Sequence, residues 1–231
     1  MAPLDQTPGD AVPTSDTMNP PTPASRAESA YRQLRDSLMF LDIAPGSPLN
    51  EQALSVQFDV GRTPLREAIK RLENEHLVIT YPRRGTFATP VDTTALSEIS
   101  TVREALEPLA ARLAAEHIRP SSRERLDRTI TQLLELSAST SPREHIEMDR
   151  LVHLEIYSAA RNAHLAGTLE DYLHLALRIW NHALGDMNAI GAHIDEHVEI
   201  LTAIRDGDPD RASDLMLTHV HHFDEAIRPA L

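Results

Sequence analysis

Apolar residues follow a helical spacing along most of this chain, and only a short segment has the spacing of strands. The first helical segment is 25–42, which ends before the turn at Ala44-Pro45-Gly46. A short helix follows Asn50, a residue type that caps helices. Thr63 is predicted to cap a third helix, with Pro64 in the first position, where a missing N–H costs nothing.

A β-hairpin is predicted next, from the runs 77–80 and 86–89 on either side of a turn. Beyond it the pattern contains no convincing strand, and helical periodicity resumes. The predicted helices span 94–117, 121–138, 142–161, 163–185, 189–206 and 208–228. The fold class is therefore mainly α, with a small unit over 25–90 followed by an all-α bundle over 92–231.

The amino-acid composition excludes several classes of protein. Residues 1–24 are polar and contain six of the 16 prolines, which predicts a disordered tail. The absence of cysteine excludes disulfide scaffolds, zinc fingers and thiol catalysis. No apolar run approaches the ~18 residues of a membrane span, so we expect a cytoplasmic protein without a membrane partner.

The distribution of charge points to nucleic acid, although the net charge of −13 does not. Residues 60–90 contain six basic and three acidic residues, whereas 92–231 contain 13 basic and 24 acidic residues. Three helices followed by a hairpin with a basic turn form a winged helix-turn-helix plan. Arg62 and Arg66 would start the helix that enters the major groove, and Arg83 and Arg84 would lie on the wing. The alternative is a small helical domain whose arginines are merely solvated.

A family resemblance supports DNA binding. The run Val60-Gly61-Arg62-Thr63-Pro64-Leu65-Arg66-Glu67-Ala68 and the wing Arg83-Arg84-Gly85-Thr86-Phe87 resemble the winged-helix domain of the GntR transcription regulators. The resemblance implies that the DNA-binding residues are Arg62, Thr63, Arg66, Arg83, Arg84 and Gly85. Two positions depart from the family pattern: Gly61 stands where Ser is common, and Gln52 stands where some relatives have a DNA-contacting Arg. The operator sequence therefore cannot be transferred from those relatives.

Twelve histidines, concentrated in the C-terminal half, provide candidate metal ligands. Asp149 and His153 lie four residues apart on one predicted helix and share a face. His197 and His219 lie on later helices, which a bundle can bring to the same core. Periodicity does not say which histidines converge, and any single one is better explained as an ordinary surface or core His with a hydrogen-bond partner.

The C-terminal half resembles the FCD ligand-binding domain of FadR-type GntR regulators, through Val102-Arg103-Glu104-Ala105-Leu106-Glu107-Pro108, Asp149-x3-His153, Asn162, Glu196-His197 and His219. The resemblance implies a metal site formed by Asp149, His153, His197 and His219. Four further histidines fall outside the pattern and receive no ligand role: His145, His193, His221 and His222. An Asp and three His suit Zn²⁺ best, with Ni²⁺ or Mn²⁺ as alternatives. Six helices rather than seven resemble the VanR-type subgroup.

Three residues are candidates for binding an organic-acid effector. Arg103 stands where the family places the cation that pairs with the acid, or else is an exposed Arg paired with Glu107. Asn162 is either a pocket hydrogen-bonding residue or a helix C-cap. Arg178 lies in an apolar stretch and needs a partner, for which an acid in the pocket is one candidate.

These features predict a homodimeric, ligand-responsive transcription regulator, most simply a repressor of a catabolic or transport operon, which binds double-stranded operator DNA. A metal-sensing regulator is the first alternative. A metallohydrolase is the second, because a three-His, one-Asp site with an open position resembles catalytic metal chemistry.

Overall fold

Helices dominate the computed structural model, which describes residues 23–136, 141–183 and 187–228. The described helices are α1 (Pro23–Met39), α2 (Glu51–Gln57), α3 (Arg62–Asn74), α4 (Leu96–Glu116), α5 (Pro120–Glu135), α6 (Pro142–Ala159), α7 (Ala163–Ala183), α8 (Met187–Asp206) and α9 (Pro209–Ile227), and the strands are β1 (Val78–Tyr81) and β2 (Gly85–Ala88). The mainly α fold class is confirmed. The predicted tail, residues 1–24, lies outside the described residues except at the start of α1.

The N-terminal unit packs α1, α2 and α3 around a small apolar core, with α1 lying against α3. The Asn50 side chain caps α2 as predicted, accepting hydrogen bonds from the backbone N–H groups of Gln52 and Ala53 at 3.1 and 3.0 Å. The predicted cap at Thr63 is wrong. Gly61 holds the N-cap position with an extended backbone, so α3 begins at Arg62.

The wing is an antiparallel pair in which Val78 faces Ala88 and Tyr81 faces Gly85. Each strand is shifted by one residue from its predicted position. An isolated bridge joins Pro48 to Phe87 on the other side of β2 and fixes the wing to the segment before α2. Gly85 has a φ of +93°, a backbone conformation that side chains disfavour, so the tight return of the chain requires glycine here.

The C-terminal unit is a bundle of six described helices, the number that periodicity predicted, while the VanR-type assignment stays a prediction. Helix α4 lies at its centre and contacts α6, α7, α8 and α9. Trp180 on α7 is buried against Phe223 at a ring-centroid distance of 5.3 Å, so it belongs to the core. None of the described helices has the length and hydropathy to cross a membrane.

The two units share apolar contacts. Met39 and Phe40, at the end of α1, pack in the core of the C-terminal bundle. Leu175 on α7 contacts both apolar cores. Shared burial of this kind stabilises one placement of the N-terminal unit against α7.

Candidate DNA-binding surface and metal centre

Helix α3 presents its N-terminal end to solvent. Arg62, Thr63 and Arg66 are exposed there, while Leu65 and Ile69 on the opposite face are buried. Arg66 donates from Nε to Glu51 Oε2 at 2.9 Å across the turn between α2 and α3. Because this ion pair is exposed, it contributes little energy and leaves the guanidinium accessible to another anion.

The turn of the wing carries the other predicted DNA-binding residues. Arg83, Arg84 and Gly85 are all exposed at the tip of the hairpin, and Arg83 has a φ of +62°. The Arg84 guanidinium lies 6.0 Å from the centre of the Tyr81 ring. Both predicted basic surfaces therefore belong to one unit and are accessible to a phosphate backbone or a groove.

The four predicted metal ligands converge in the C-terminal bundle. Helix α6 supplies Asp149 and His153, α8 supplies His197 and α9 supplies His219, and one ligand atom from each lies within 4.8 Å of the others. His153 Nε2 is 3.2 Å from both His219 Nε2 and His197 Nε2. Asp149 Oδ1 lies 3.6 Å from His197 Nε2. All four side chains are buried.

These distances fit a single divalent ion. Two ligands of a tetrahedral zinc ion, each about 2.0–2.1 Å from the metal, lie about 3.3 Å apart, close to the spacings of the cluster. Asp149 Oδ1 is buried and accepts no hydrogen bond among the described residues. A buried carboxylate oxygen without a partner is costly, and a cation between it and the imidazoles removes that cost.

Two carboxylates orient the imidazoles of His153 and His219 through their Nδ1 atoms, opposite the Nε2 atoms that face the centre of the cluster. Glu196 accepts from His219 Nδ1 at 2.9 Å, and Glu107 Oε2 lies 3.3 Å from His153 Nδ1. When both Nδ1 atoms carry the proton, both Nε2 atoms present lone pairs. Two lone pairs that face each other at 3.2 Å repel unless a cation lies between them. This arrangement is the strongest structural argument for a metal ion.

The environment of the cluster favours an ionised Asp149 and a neutral His219. Burial alone would raise the pKa of Asp149, but His153, His193 and His197 outweigh it and hold the pKa below its usual range. Burial, with the neighbouring imidazoles, lowers the pKa of His219 well below its usual value. Neutral imidazole and ionised carboxylate are the forms that bind a metal.

His193 was given no ligand role, yet it belongs to this cluster. Its ring stacks on His219 with centroids 3.9 Å apart, and its Nε2 lies 3.4 Å from Asp149 Oδ1. Together with Glu196 and His219 it forms a second group of ligand atoms within 4.8 Å. Its position four residues before His197 on α8 was the available signal, because residues four apart share a helix face.

Arg103 reaches the edge of the cluster through Glu107. It donates from Nε to Glu107 Oε1 at 2.6 Å, and the Tyr157 hydroxyl donates to the same oxygen at 2.9 Å. The expected pair with Glu107 is present, but it is buried, so the alternative of an exposed arginine is wrong. Arg103 Nη1 is buried without an acceptor among the described residues.

The other two candidate effector residues lie elsewhere. Asn162 is exposed before α7, and its side chain accepts from the backbone N–H of Leu165 at 3.1 Å. It therefore caps the start of α7, and the alternative of a C-cap is wrong, because Ala160 ends α6. Arg178 donates its Nη groups to the Oγ1 and backbone oxygen of Thr89 at 2.6 and 2.5 Å, so its described partners are neutral.

Comparison with known proteins identifies both units. Residues 26–88 match the model of the bacterial regulatory proteins of the gntR family, and residues 98–222 match that of the FCD domain. The chain is 27% identical over 212 residues to the HTH-type transcriptional repressor RspR of Escherichia coli K12, covering 91% of this chain and 92% of RspR. It is 28% identical over 190 residues to the Nta operon transcriptional regulator of Aminobacter aminovorans, covering 79% and 86%.

A solved structure supports the same fold. The E. coli McbR/YncC structure aligns with a TM-score of 0.75 at 22% identity, covering 85% of this chain and 94% of that one. The relatives and the matched families are transcription regulators rather than enzymes, which removes the hydrolase alternative. The chain belongs to the GntR family of DNA-binding transcription regulators and combines its helix-turn-helix domain with a FadR-type FCD domain.

Proposed function

We propose that this regulator is a cytoplasmic homodimer that represses a catabolic or transport operon and responds to a small organic acid. The similarity to RspR, a transcriptional repressor, and to the Nta operon regulator supports repression of an operon. Two copies related by a two-fold axis would read a palindromic operator.

DNA recognition is assigned to two exposed surfaces. Arg62, Thr63 and Arg66 at the start of α3 would enter the major groove, where Arg pairs with guanine O6 and N7. Arg83, Arg84 and Gly85 on the wing would contact the backbone or a minor groove. Their exposure, in a chain whose C-terminal half is acidic, supports this assignment.

The metal ion is assigned to Asp149, His153, His197 and His219, with Zn²⁺ preferred over Ni²⁺ or Mn²⁺. The single observation that carries this assignment is the pair of Nε2 atoms, on His153 and His219, that face each other at 3.2 Å. A bound ion supplies a Lewis-acid position with room for a further oxygen ligand. The mixture of nitrogen and oxygen donors without thiolate suits these metals.

The effector is a small carboxylate held by the ion and Arg103. The guanidinium of Arg103 is fully buried, is one carboxylate away from His153, and keeps Nη1 without an acceptor among the described residues. Arg binds carboxylates through two parallel hydrogen bonds, so its planar group is suited to this role.

The competing function is a sensor for the metal itself. The four ligand side chains are buried within the bundle, which favours an ion retained as part of the fold over one that exchanges rapidly. Prolonged dialysis against a chelator separates the two. We expect the ion to remain; its rapid loss, with a matching loss of DNA affinity, would support the sensor.

Selection of duplexes from a random DNA library tests the regulatory function without knowledge of the operator. Wild-type protein should enrich a palindromic sequence and bind it with a strong dependence on salt. A double variant, Arg62→Ala with Arg66→Ala, should enrich nothing, whereas Arg128→Ala, an exposed position on α5, should behave as wild type. The absence of any enriched sequence with wild-type protein would contradict DNA recognition.

A further inference from the structure

A cavity of about 500 Å³ lies between the two units, apart from the histidine cluster. One wall comes from His76 and Thr89 of the N-terminal unit, and the other comes from α4 and α7. Its apolar lining includes Val91, Ala95, Ile99, Val102, Leu175 and Ile179. The volume and the apolar walls are those of a small-molecule site, in which a few polar groups set the orientation of the ligand.

Arg178 supplies a buried cationic group to this cavity. Arg178 is only 3% exposed. Its described hydrogen bonds go to Thr89 alone, so no described carboxylate neutralises its charge. Burial lowers the pKa of Arg178 to about 10, which still leaves it charged at neutral pH. Its Nε is buried without an acceptor among the described residues. A buried cation with only neutral partners is costly, and an anion in the cavity offsets that cost.

We propose that this cavity is a second small-molecule site, which takes an organic acid with one carboxylate and an apolar body. The acid group pairs with the guanidinium of Arg178, which lines the cavity, and the body fills the space between α4 and α7. Asp92 and Glu98 line the cavity at exposed positions and repel a second acid group. The site therefore prefers monocarboxylates to dicarboxylates. It goes beyond the metal-assisted effector pocket proposed above.

The cavity also touches the connection between the units. Thr89 follows β2 directly, donates from its backbone to the oxygen of Leu77 at 3.1 Å, and accepts from Arg178 on α7. A ligand on Arg178 therefore contacts the base of the wing and the C-terminal bundle together. Such a ligand binds only the arrangement in which the two units enclose the cavity, and stabilises it.

Isothermal titration calorimetry of the full-length protein tests this site with hexanoate and benzoate as probes. The neutral controls are hexanamide and benzamide, which keep the apolar body and lose the charge. Arg178→Met removes the cation, and Arg128→Met is the matched change at an exposed position of α5. Val102→Phe fills the cavity from α4 without removing the contact between Arg178 and Thr89. Circular dichroism establishes that each variant is folded.

At least one acid should bind with a dissociation constant below about 5 mM, and its amide should bind about tenfold more weakly or not at all. Arg178→Met and Val102→Phe should each weaken the acid by about tenfold or more, while Arg128→Met should not. If Arg178→Met fails to fold, the binding of the acid to Val102→Phe decides whether the cavity is the binding site. Binding should persist in a double variant of Asp149→Ala with His153→Ala, which lacks two of the proposed metal ligands, and this separates the cavity from the histidine cluster.

Three results would overturn the proposal: no binding of either acid, equal binding of acid and amide, or unchanged binding in the folded variants. Loss of binding in the folded double variant would also overturn it, since the acid would then be bound at the histidine cluster. The titration involves no DNA, so its failure leaves the proposed regulatory function intact.

Discussion

Arg103 and Glu107 form an ion pair inside the C-terminal bundle, with Nε and Oε1 2.6 Å apart and side-chain exposures of 1% and 0%. The pair spans one turn of α4 and connects to the histidine cluster, because the other Glu107 oxygen faces His153. Tyr157 donates a further hydrogen bond to Glu107. Such a pair depends on each partner, since removal of one leaves the other charged and buried.

Replacement of Arg103 by Met should destabilise the protein strongly. The change leaves Glu107 buried without its cation, which costs about 3–5 kcal/mol in the free energy of unfolding. Urea denaturation followed by circular dichroism measures this loss. Arg112→Met, at a more accessible position on the same helix, is the matched control and should change stability by less than about 1 kcal/mol. A similar loss in the free energy of unfolding for both variants would contradict a larger contribution from the buried pair.

Glu107 should make stability depend on pH in the acid range. Burial would raise its pKa, but Arg103 and His153 lower it from 4.5 to about 2 in the folded state. Its contribution to the free energy of unfolding is therefore complete above pH about 4.5. That contribution is lost as the pH falls towards about 2, at about 1.4 kcal/mol per pH unit. Denaturation from pH 6 to about pH 3 should show a steeper decline in wild type than in Glu107→Gln. Parallel curves would contradict the lowered pKa.

Asn162 provides a direct choice between a capping role and an effector role. If it caps α7, Asn162→Ala should lower the free energy of unfolding by about 1 kcal/mol, whereas Asn162→Asp should retain the cap. Thermal denaturation without ligand distinguishes the variants. An unchanged melting temperature in Asn162→Ala would contradict the interpretation that capping of α7 is the main role of Asn162.

Arg62 and Arg66, in the N-terminal part of α3, should differ in their effect on DNA binding. Arg66 already pairs with Glu51, while no ion pair is recorded for Arg62 within the described residues. Loss of a base contact costs about 1–3 kcal/mol and relaxes sequence preference, whereas loss of a phosphate contact weakens all sequences and reduces the salt slope. Fluorescence anisotropy is measured over a salt series on the selected duplex and on a scrambled one. It shows for each of the two arginines whether it contacts a base or a phosphate. Wild-type affinity in both variants would exclude them from the interface.

The sequence predicted most of the architecture because its local signals agree with its packing. The cap at Asn50, the turn at Gly85 and the six C-terminal helices all appear at or near the predicted positions. The error at Thr63 has a simple cause. Glycine and threonine are about equally favoured at the N-cap, and the extended backbone of Gly61 allowed the helix to start two residues earlier.

The candidate site was harder to predict, because its supporting residues are set by packing between helices. The resemblance to the FCD domain supplied the four metal-ligand positions and included Glu196, but it gave Glu196 no role, and Tyr157 carried no signal. Arg178 shows the same limit: its position in an apolar stretch indicated a buried partner, and only the fold revealed Thr89 in that place. Periodicity assigns a face of a helix, whereas the neighbour of that face depends on the tertiary structure.

Metal analysis by mass spectrometry on the purified protein tests the metal-assisted pocket most directly. We expect about one divalent ion per chain in the wild type, and none in a double variant of Asp149→Ala with His153→Ala. His164→Ala, at an exposed position on α7, should retain the ion as the matched control. Wild-type protein without an ion, or an ion that remains in the folded double variant, would contradict the assignment of this cluster as the metal centre.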